Sequence, residues 1–181
     1  SYFLEKARSE LKDRRNVPLS LLRADMRILP FPAGSFASAI QMYTSFGYGT
    51  DPEDDCRVLN ELNRVLRPGG TYLLDLINWT LARKAFDGRY EESYPNFDVV
   101  EECRIDPQRN LLRVRRALLY SDGRKPHLYN FEIRMFDRMS LTMLLEQSGF
   151  QVLDVWGDFD CSPYKPNKSY RMITVCRKGS S

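Results

Sequence analysis

"RVLRPGGTYLLDLIN", residues 64–78, decides the fold. Its first residues end an amphipathic run, Arg67-Pro68-Gly69-Gly70 halts it, and 71–77 continues as an almost unbroken apolar segment. Proline removes a backbone donor, and glycine can adopt the left-handed conformation that closes a last helical turn. A short apolar run after such a stop has the composition of a strand covered on both faces, as in an open α/β sheet.

Upstream, Val58, Leu59, Leu62, Val65 and Leu66 form a stripe at helical spacing. Asp51 stands at the N-cap of that helix, Pro52 at its first position and acids in its first turn. Before it, 37–46 ("ASAIQMYTSF") reads as a strand with Ala39, Ile40 and Met42 inward, and 19–25 ("LSLLRAD") as a buried parallel strand. A proline- and glycine-bearing loop, "ILPFPAGSF", joins them, and 2–14 patterns as a helix with Phe3, Leu4, Ala7 and Leu11 on one face.

Downstream the grammar changes. Residues 97–136 give three extended runs separated by "DPQRN" and "SDGRKP". In the second run Leu112, Val114, Leu118 and Tyr120 share a face, with Arg113 and Arg115 opposite, the pattern of an antiparallel meander with one wet side. A helix follows from Ser140, its expected N-cap, to Gly149 at its C-terminal cap; 150–157 and 170–178 are the last strands. The expected class is α/β: a Rossmann-like, mostly parallel sheet, incomplete at its N-terminal side, with an antiparallel insertion. Residues 1–78 form the C-terminal part of the α/β core, 79–136 a linker and the antiparallel insertion, and 137–181 the final helix and two strands of the core.

With 181 residues, the chain fits one domain with a modest insertion. Its net charge of +3 is far short of a polybasic nucleic-acid binder. The arginines of 104–124 read as a sheet face balanced by Glu101, Glu102, Asp106 and Asp122. No apolar run is long enough to span a bilayer, so no membrane partner is expected. Cys56, Cys103, Cys161 and Cys176 are scattered without a C-x-x-C, and His127 is the one histidine. A metal site needs clustered ligands, so none is expected; reduced thiols fit a cytoplasmic protein.

Three segments together carry a resemblance: "ADMRILPFPAGSFASAIQMYTSFGY", "LNELNRVLRPGGTYLLDLIN" and "LLEQSGFQVLDVWG" with a terminal strand ending "VCRK". In that order they resemble class I S-adenosylmethionine-dependent methyltransferases. The resemblance implies that Asp25 accepts a hydrogen bond from the cofactor's adenine amine and that Met26 packs on the ring. Both are chemically apt, since a carboxylate only accepts and a thioether adapts to a flat face. It also implies that Gln41, Met42 and Tyr43 line the methionine side of S-adenosyl-L-methionine. Tyr48 and Tyr164 are candidate substrate contacts, Tyr164 within the 164–170 loop.

The family's glycine-rich first motif is missing: no G-x-G occurs before Gly47. Three resolutions are open. The sequence is an N-terminally truncated piece of a longer enzyme, a second copy completes the sheet as a homodimer, or the remaining strands rearrange. The expected function is methyl transfer to a small-molecule nitrogen or oxygen acceptor. The alternative is a non-catalytic, methyltransferase-like interaction domain that has lost cofactor binding. His127, Tyr43, Tyr48 and Tyr129 are conceivable general bases, and no catalytic residue is assigned.

Overall fold

The computed structural model describes residues 2–11, 18–49, 51–83, 85, 86 and 88–179. In chain order the elements are α1 (Tyr2–Leu11), β1 (Phe36–Gln41), α2 (Pro52–Val65), β2 (Leu66–Ile77), α3 (Trp79–Ala82), β3 (Gly88–Tyr94), β4 (Phe97–Asp106), β5 (Leu111–Tyr120), β6 (His127–Arg134), α4 (Arg138–Gln147), β7 (Phe150–Trp156) and β8 (Arg171–Lys178). Residues 12–14 of the expected first helix lie outside the described residues.

Two four-stranded sheets result. The first has the order β1-β2-β8-β7: β1 runs parallel to β2, while β8 is antiparallel to both β2 and β7. Three of its four strands therefore point one way, and only β8 is reversed. The second is the antiparallel sheet β3-β4-β5-β6.

α2 begins as its sequence demands. The Asp51 carboxylate accepts from the Glu53 N–H at 3.0 Å, and Asp54 closes the capping box from inside the first turn. Reciprocal capping of this kind satisfies amides that the helix cannot pair internally. Glu61 and Arg64 then tie the proline-rich loop to the helix. Glu61 takes the Leu29 N–H at 2.7 Å, and Arg64 donates to the carbonyls of Phe31 and Leu29 at 2.8 and 3.0 Å.

The Pro-Gly-Gly segment lies inside β2 rather than before it. Pairing jumps from Phe36↔Leu66 to Ser38↔Thr71, so the extra residues bulge out of the ladder. Gly69 has φ +72°, and a Cβ on Gly70 would lie 2.8 Å from the Arg67 carbonyl oxygen. Both positions therefore demand glycine.

Beyond the bulge β2 alternates as a buried strand should. Tyr72, Leu74 and Leu76 point into a cluster with Val58 and Leu59 of α2, Leu141 and Leu145 of α4, and Met172 and Cys176 of β8. A second cluster forms where Ile77, Trp79 and Ala82 meet Cys103, Leu112, Val114, Ile133 and Met135 below the antiparallel sheet. On that sheet Glu101 faces Arg116, Glu102 faces Arg115 and Arg113 faces Glu132, each pair directly opposed in register and ion-paired.

Several expectations are corrected. Residues 19–25 form no strand, and Leu19 and Leu22 are more than half exposed. An extended segment becomes a strand only when a neighbour takes its backbone groups, and none does so among the described residues. β1 stops at Gln41 rather than reaching 46, because Tyr43 and Thr44 both take positive φ. Ile40, expected inside, is 68% exposed. The meander gains a strand, β3, all of whose residues are exposed. The N-cap of α4 is Asp137, whose carboxylate accepts from the Ser140 N–H at 2.8 Å; Ser140 is the inner partner of that box. Among the described residues, no helix is long and apolar enough to cross a membrane.

Candidate functional site

Ligands of open α/β sheets sit at the carboxyl ends of the strands. Here that edge is the loop after β1, which reaches across β2 to the start of β8. Gln41, the last residue of β1, is buried and works as a strut. Its Oε1 accepts from the Tyr72 hydroxyl at 2.7 Å, and its Nε2 donates to the Ser45 carbonyl at 2.9 Å and approaches the Met26 sulfur at 3.5 Å. One amide thus fixes β2, the loop after β1 and the Asp25–Met26 turn. Asp25 bridges to Ile28 within the turn that Gln41 holds through Met26.

Asp25 already has a partner. Its Oδ1 accepts from the Arg27 N–H at 2.9 Å and its Oδ2 from Arg27 Nη2 at 2.7 Å, while Arg27 also reaches Asp54 at 3.2 Å. These hydrogen bonds from Arg27 lower the Asp25 pKa to about 2, so the group is a permanent acceptor. Arg27 Nε adds longer bonds to both oxygens at 3.1 and 3.3 Å, so a further donor at Asp25 has to take the place of an Arg27 contact. Asp25, Met26, Phe46, Tyr48 and Val58 border a cavity of about 370 Å³.

Past Met42 the backbone turns left-handed twice, at Tyr43 (φ 56°) and Thr44 (φ 55°). For residues other than glycine each such conformation costs on the order of 1–3 kcal/mol and persists only where its surroundings hold it. The Asp75 Oδ2 takes the Tyr43 N–H at 2.9 Å, the Asp75 carbonyl takes the Thr44 N–H at 3.0 Å, and Thr44 Oγ1 receives the Ile77 N–H at 2.9 Å. Asp75 has no exposed surface and is paired with Arg171, whose Nη1 lies 2.7 Å from both carboxylate oxygens. The Arg171 guanidinium sits 5.5 Å from the Tyr43 ring and 5.1 Å from that of Phe159.

Tyr48 joins the two sheets. Its ring stacks on Phe131 of β6 at 5.8 Å, and the neighbouring Gly47 carbonyl accepts the Arg134 N–H at 2.7 Å. A Cβ on Gly47 would lie 2.7 Å from the Arg134 carbonyl oxygen, so this approach needs glycine. Burial raises the Tyr48 pKa, so the phenol stays protonated. A second opening of about 760 Å³ lies between Tyr48 and the meander, bordered by Arg104, Arg113, Arg115 and Asn130.

Of the sequence candidates, Asp25, Met26, Gln41, Met42, Tyr43 and Tyr48 come together at this edge. Tyr164 does not border either opening. It is buried, and its hydroxyl donates to Asn78 Oδ1 at 2.8 Å. Asn78 in turn donates to the carbonyls of Pro166 and Ser169 at 2.7 Å, so Tyr164 pins its own loop. His127 pairs with the Tyr120 hydroxyl at 2.8 Å on the meander. Asp75 and Arg171 escaped the sequence reading; the visible signal was a lone acid inside "LLDLI".

Residues 1–70 match a family model described as a methyltransferase domain. The fold is similar to an S-adenosylmethionine-dependent methyltransferase from Clostridium acetobutylicum, with TM-score 0.80 and 15% identity over 99% of this chain and 72% of that one. It is also similar to CalS10 with S-adenosylmethionine bound, an amino pentose methyltransferase from Micromonospora echinaspora (TM-score 0.59, 17% identity, 96% of this chain, 70% of that one). The sugar N-methyltransferase KedS8 from Streptoalloteichus is a third relative in fold (TM-score 0.63, 16% identity, 92% of this chain, 65% of that one). No curated protein matches the sequence.

Proposed function

We propose that this chain, whose fold is that of the class I S-adenosylmethionine-dependent methyltransferases, transfers a methyl group from that donor to a nitrogen or oxygen of a small molecule. The observation that carries the reading is the Asp25–Met26 turn, docked by Gln41 against the carboxyl end of β1 at the edge of a cavity. The sugar-directed enzymes among the similar folds support a small acceptor, and the donor bound in one of them supports the cofactor.

The residues present fit the adenine and methionine sides of the donor. Asp25 is an ionised acceptor that can exchange a longer Arg27 contact for an exocyclic amine, and Met26 offers a polarizable face. Gln41 holds Met26 in place, and Met42 and Tyr43, which follow it in the chain, are the residues assigned to the methionine side. When bound, the donor supplies an electrophilic methyl on a sulfonium centre. The chain's own task is alignment, which for well-oriented reactants is worth about 7–11 kcal/mol, so no nucleophile motif is required. Tyr48, at the border of both openings, is the residue assigned to the acceptor, and Tyr164 serves by holding its loop. Cysteines scattered without a C-x-x-C are in keeping with a cytoplasmic setting.

Calorimetric titration with S-adenosylhomocysteine tests this reading. Micromolar binding, weakened at least about tenfold by Asp25→Ala, supports it; no heat overturns it.

A second reading is an interaction domain that pairs with another copy. It is favoured by the outer edge of β1, which carries no strand among the described residues and exposes Ile40. A homodimer in analytical ultracentrifugation, lost on placing a proline within β1, would favour it; a monomer at all concentrations removes it.

A further inference from the structure

Left-handed backbone at two successive residues is uncommon outside glycine, asparagine and aspartate, and Tyr43-Thr44 contains none of them. What fixes this turn is a carboxylate that is costly to bury. Asp75 lies on the face of β2 opposite Leu74 and Leu76, and its side chain is wholly enclosed. Such an ion stays buried only when partnered and hydrogen-bonded. Arg171 provides the charge, and the Tyr43 N–H fills a further acceptor direction on Oδ2. In the β2–β8 ladder Arg171 pairs with Ile77, two residues from Asp75, so both side chains stand on one face.

The ring held by this apparatus is 75% exposed. Core packing therefore does not account for an aromatic there, and the strain is not repaid by burial. The ring instead stands beside the Arg171 guanidinium, with the half-exposed Phe159 ring also within reach of that cation.

We propose that Asp75 and Arg171 are positioning residues: their ion pair clamps the left-handed Tyr43–Thr44 turn and thereby aims the Tyr43 ring at the methionine side of the donor site. This rests on the methyl-donor reading and assigns that site its supporting device. A pair that merely tied β2 to β8 would have no effect through Tyr43.

The test compares the unsubstituted chain with Arg171→Gln, Arg171→Lys, Tyr43→Gly and the Arg171→Gln/Tyr43→Gly double variant. Amide exchange followed by NMR reads the clamp without ligand. In Arg171→Gln the Tyr43 and Thr44 amides should exchange at least about tenfold faster while Leu74 and Leu76 keep their protection. Calorimetry with S-adenosylhomocysteine, below every thermal midpoint, reads the consequence. Arg171→Gln and Tyr43→Gly should each raise Kd about tenfold, the double variant no more than either, and Arg171→Lys should recover most of the loss. Tyr43→Gly removes only an exposed ring and frees a strained backbone, so it keeps the test standing if the Arg171 variants fold poorly. Additive losses, or lower midpoints with unchanged Kd, overturn the clamp. Heat that no substitution alters overturns this proposal alone, whereas no heat from the unsubstituted chain overturns the donor reading with it.

Discussion

Removing one oxygen atom from the centre of the first sheet tests how its carboxyl edge is held. Tyr72 has no exposed surface, its ring lies 5.3 Å from that of Phe150, and its hydroxyl donates to Gln41 Oε1 at 2.7 Å. Burial pushes its pKa well up, so the donor is present at every working pH. Tyr72→Phe keeps the ring contacts and strips the Gln41 carbonyl of its donor. The hydrogen bond contributes about 0.5–1.5 kcal/mol, and an acceptor left buried without a partner costs about 1–3 kcal/mol, so a loss near 2 kcal/mol is expected. For a chain of this size that lowers the thermal midpoint by roughly 4–8 °C. Urea unfolding followed by circular dichroism measures the loss, with an unchanged m-value showing that compactness is preserved. In a cycle with Gln41→Leu, the coupling between the two sites should be about 1 kcal/mol. A loss below about 0.3 kcal/mol, or additive effects, would refute the strut described for Gln41.

Two further outcomes follow from the caps and ties. Glu61 has its pKa lowered from 4.5 to about 2, chiefly by hydrogen bonds from Arg64 and then by the Leu29 N–H. A carboxylate depressed on folding stabilises above its unfolded pKa and loses that contribution as pH falls through the folded value. The midpoint advantage of the unsubstituted chain over Glu61→Gln should therefore be full above pH 4.5 and vanish near pH 2; a pH-independent gap would contradict it. Asp137→Ala removes the N-cap of α4 and should cost about 1 kcal/mol in urea unfolding, with Asp137→Ser recovering most of it.

α2 and β2 were legible in the sequence because local signals agreed with the final packing: an acid cap, a proline at the first turn, an apolar stripe and an apolar strand. β3 was not, because "GRYEESY" lies at the sheet edge with every residue exposed and has no inward face to pattern. "LSLLRAD" has the composition of a strand and, among the described residues, lacks the neighbour that would make it one. The candidate site divides in the same way. Asp25 and Met26 are adjacent in sequence and were visible through the resemblance. The clamp depends on residues 96 positions apart, a proximity that only folding creates.

The two apolar clusters meet at successive residues of β2: Leu76 belongs to the first and Ile77 to the second. Each sheet thus has its own interior, and the two are joined at that strand end, at Met135–Phe136 and through Tyr48. In such an arrangement, substitutions beneath the antiparallel layer need not disturb the packing around Tyr72. The layer facing the opening by Tyr48 can vary while its neighbour stays unchanged. Variation on one side and constancy on the other are compatible because the two interiors share so few residues.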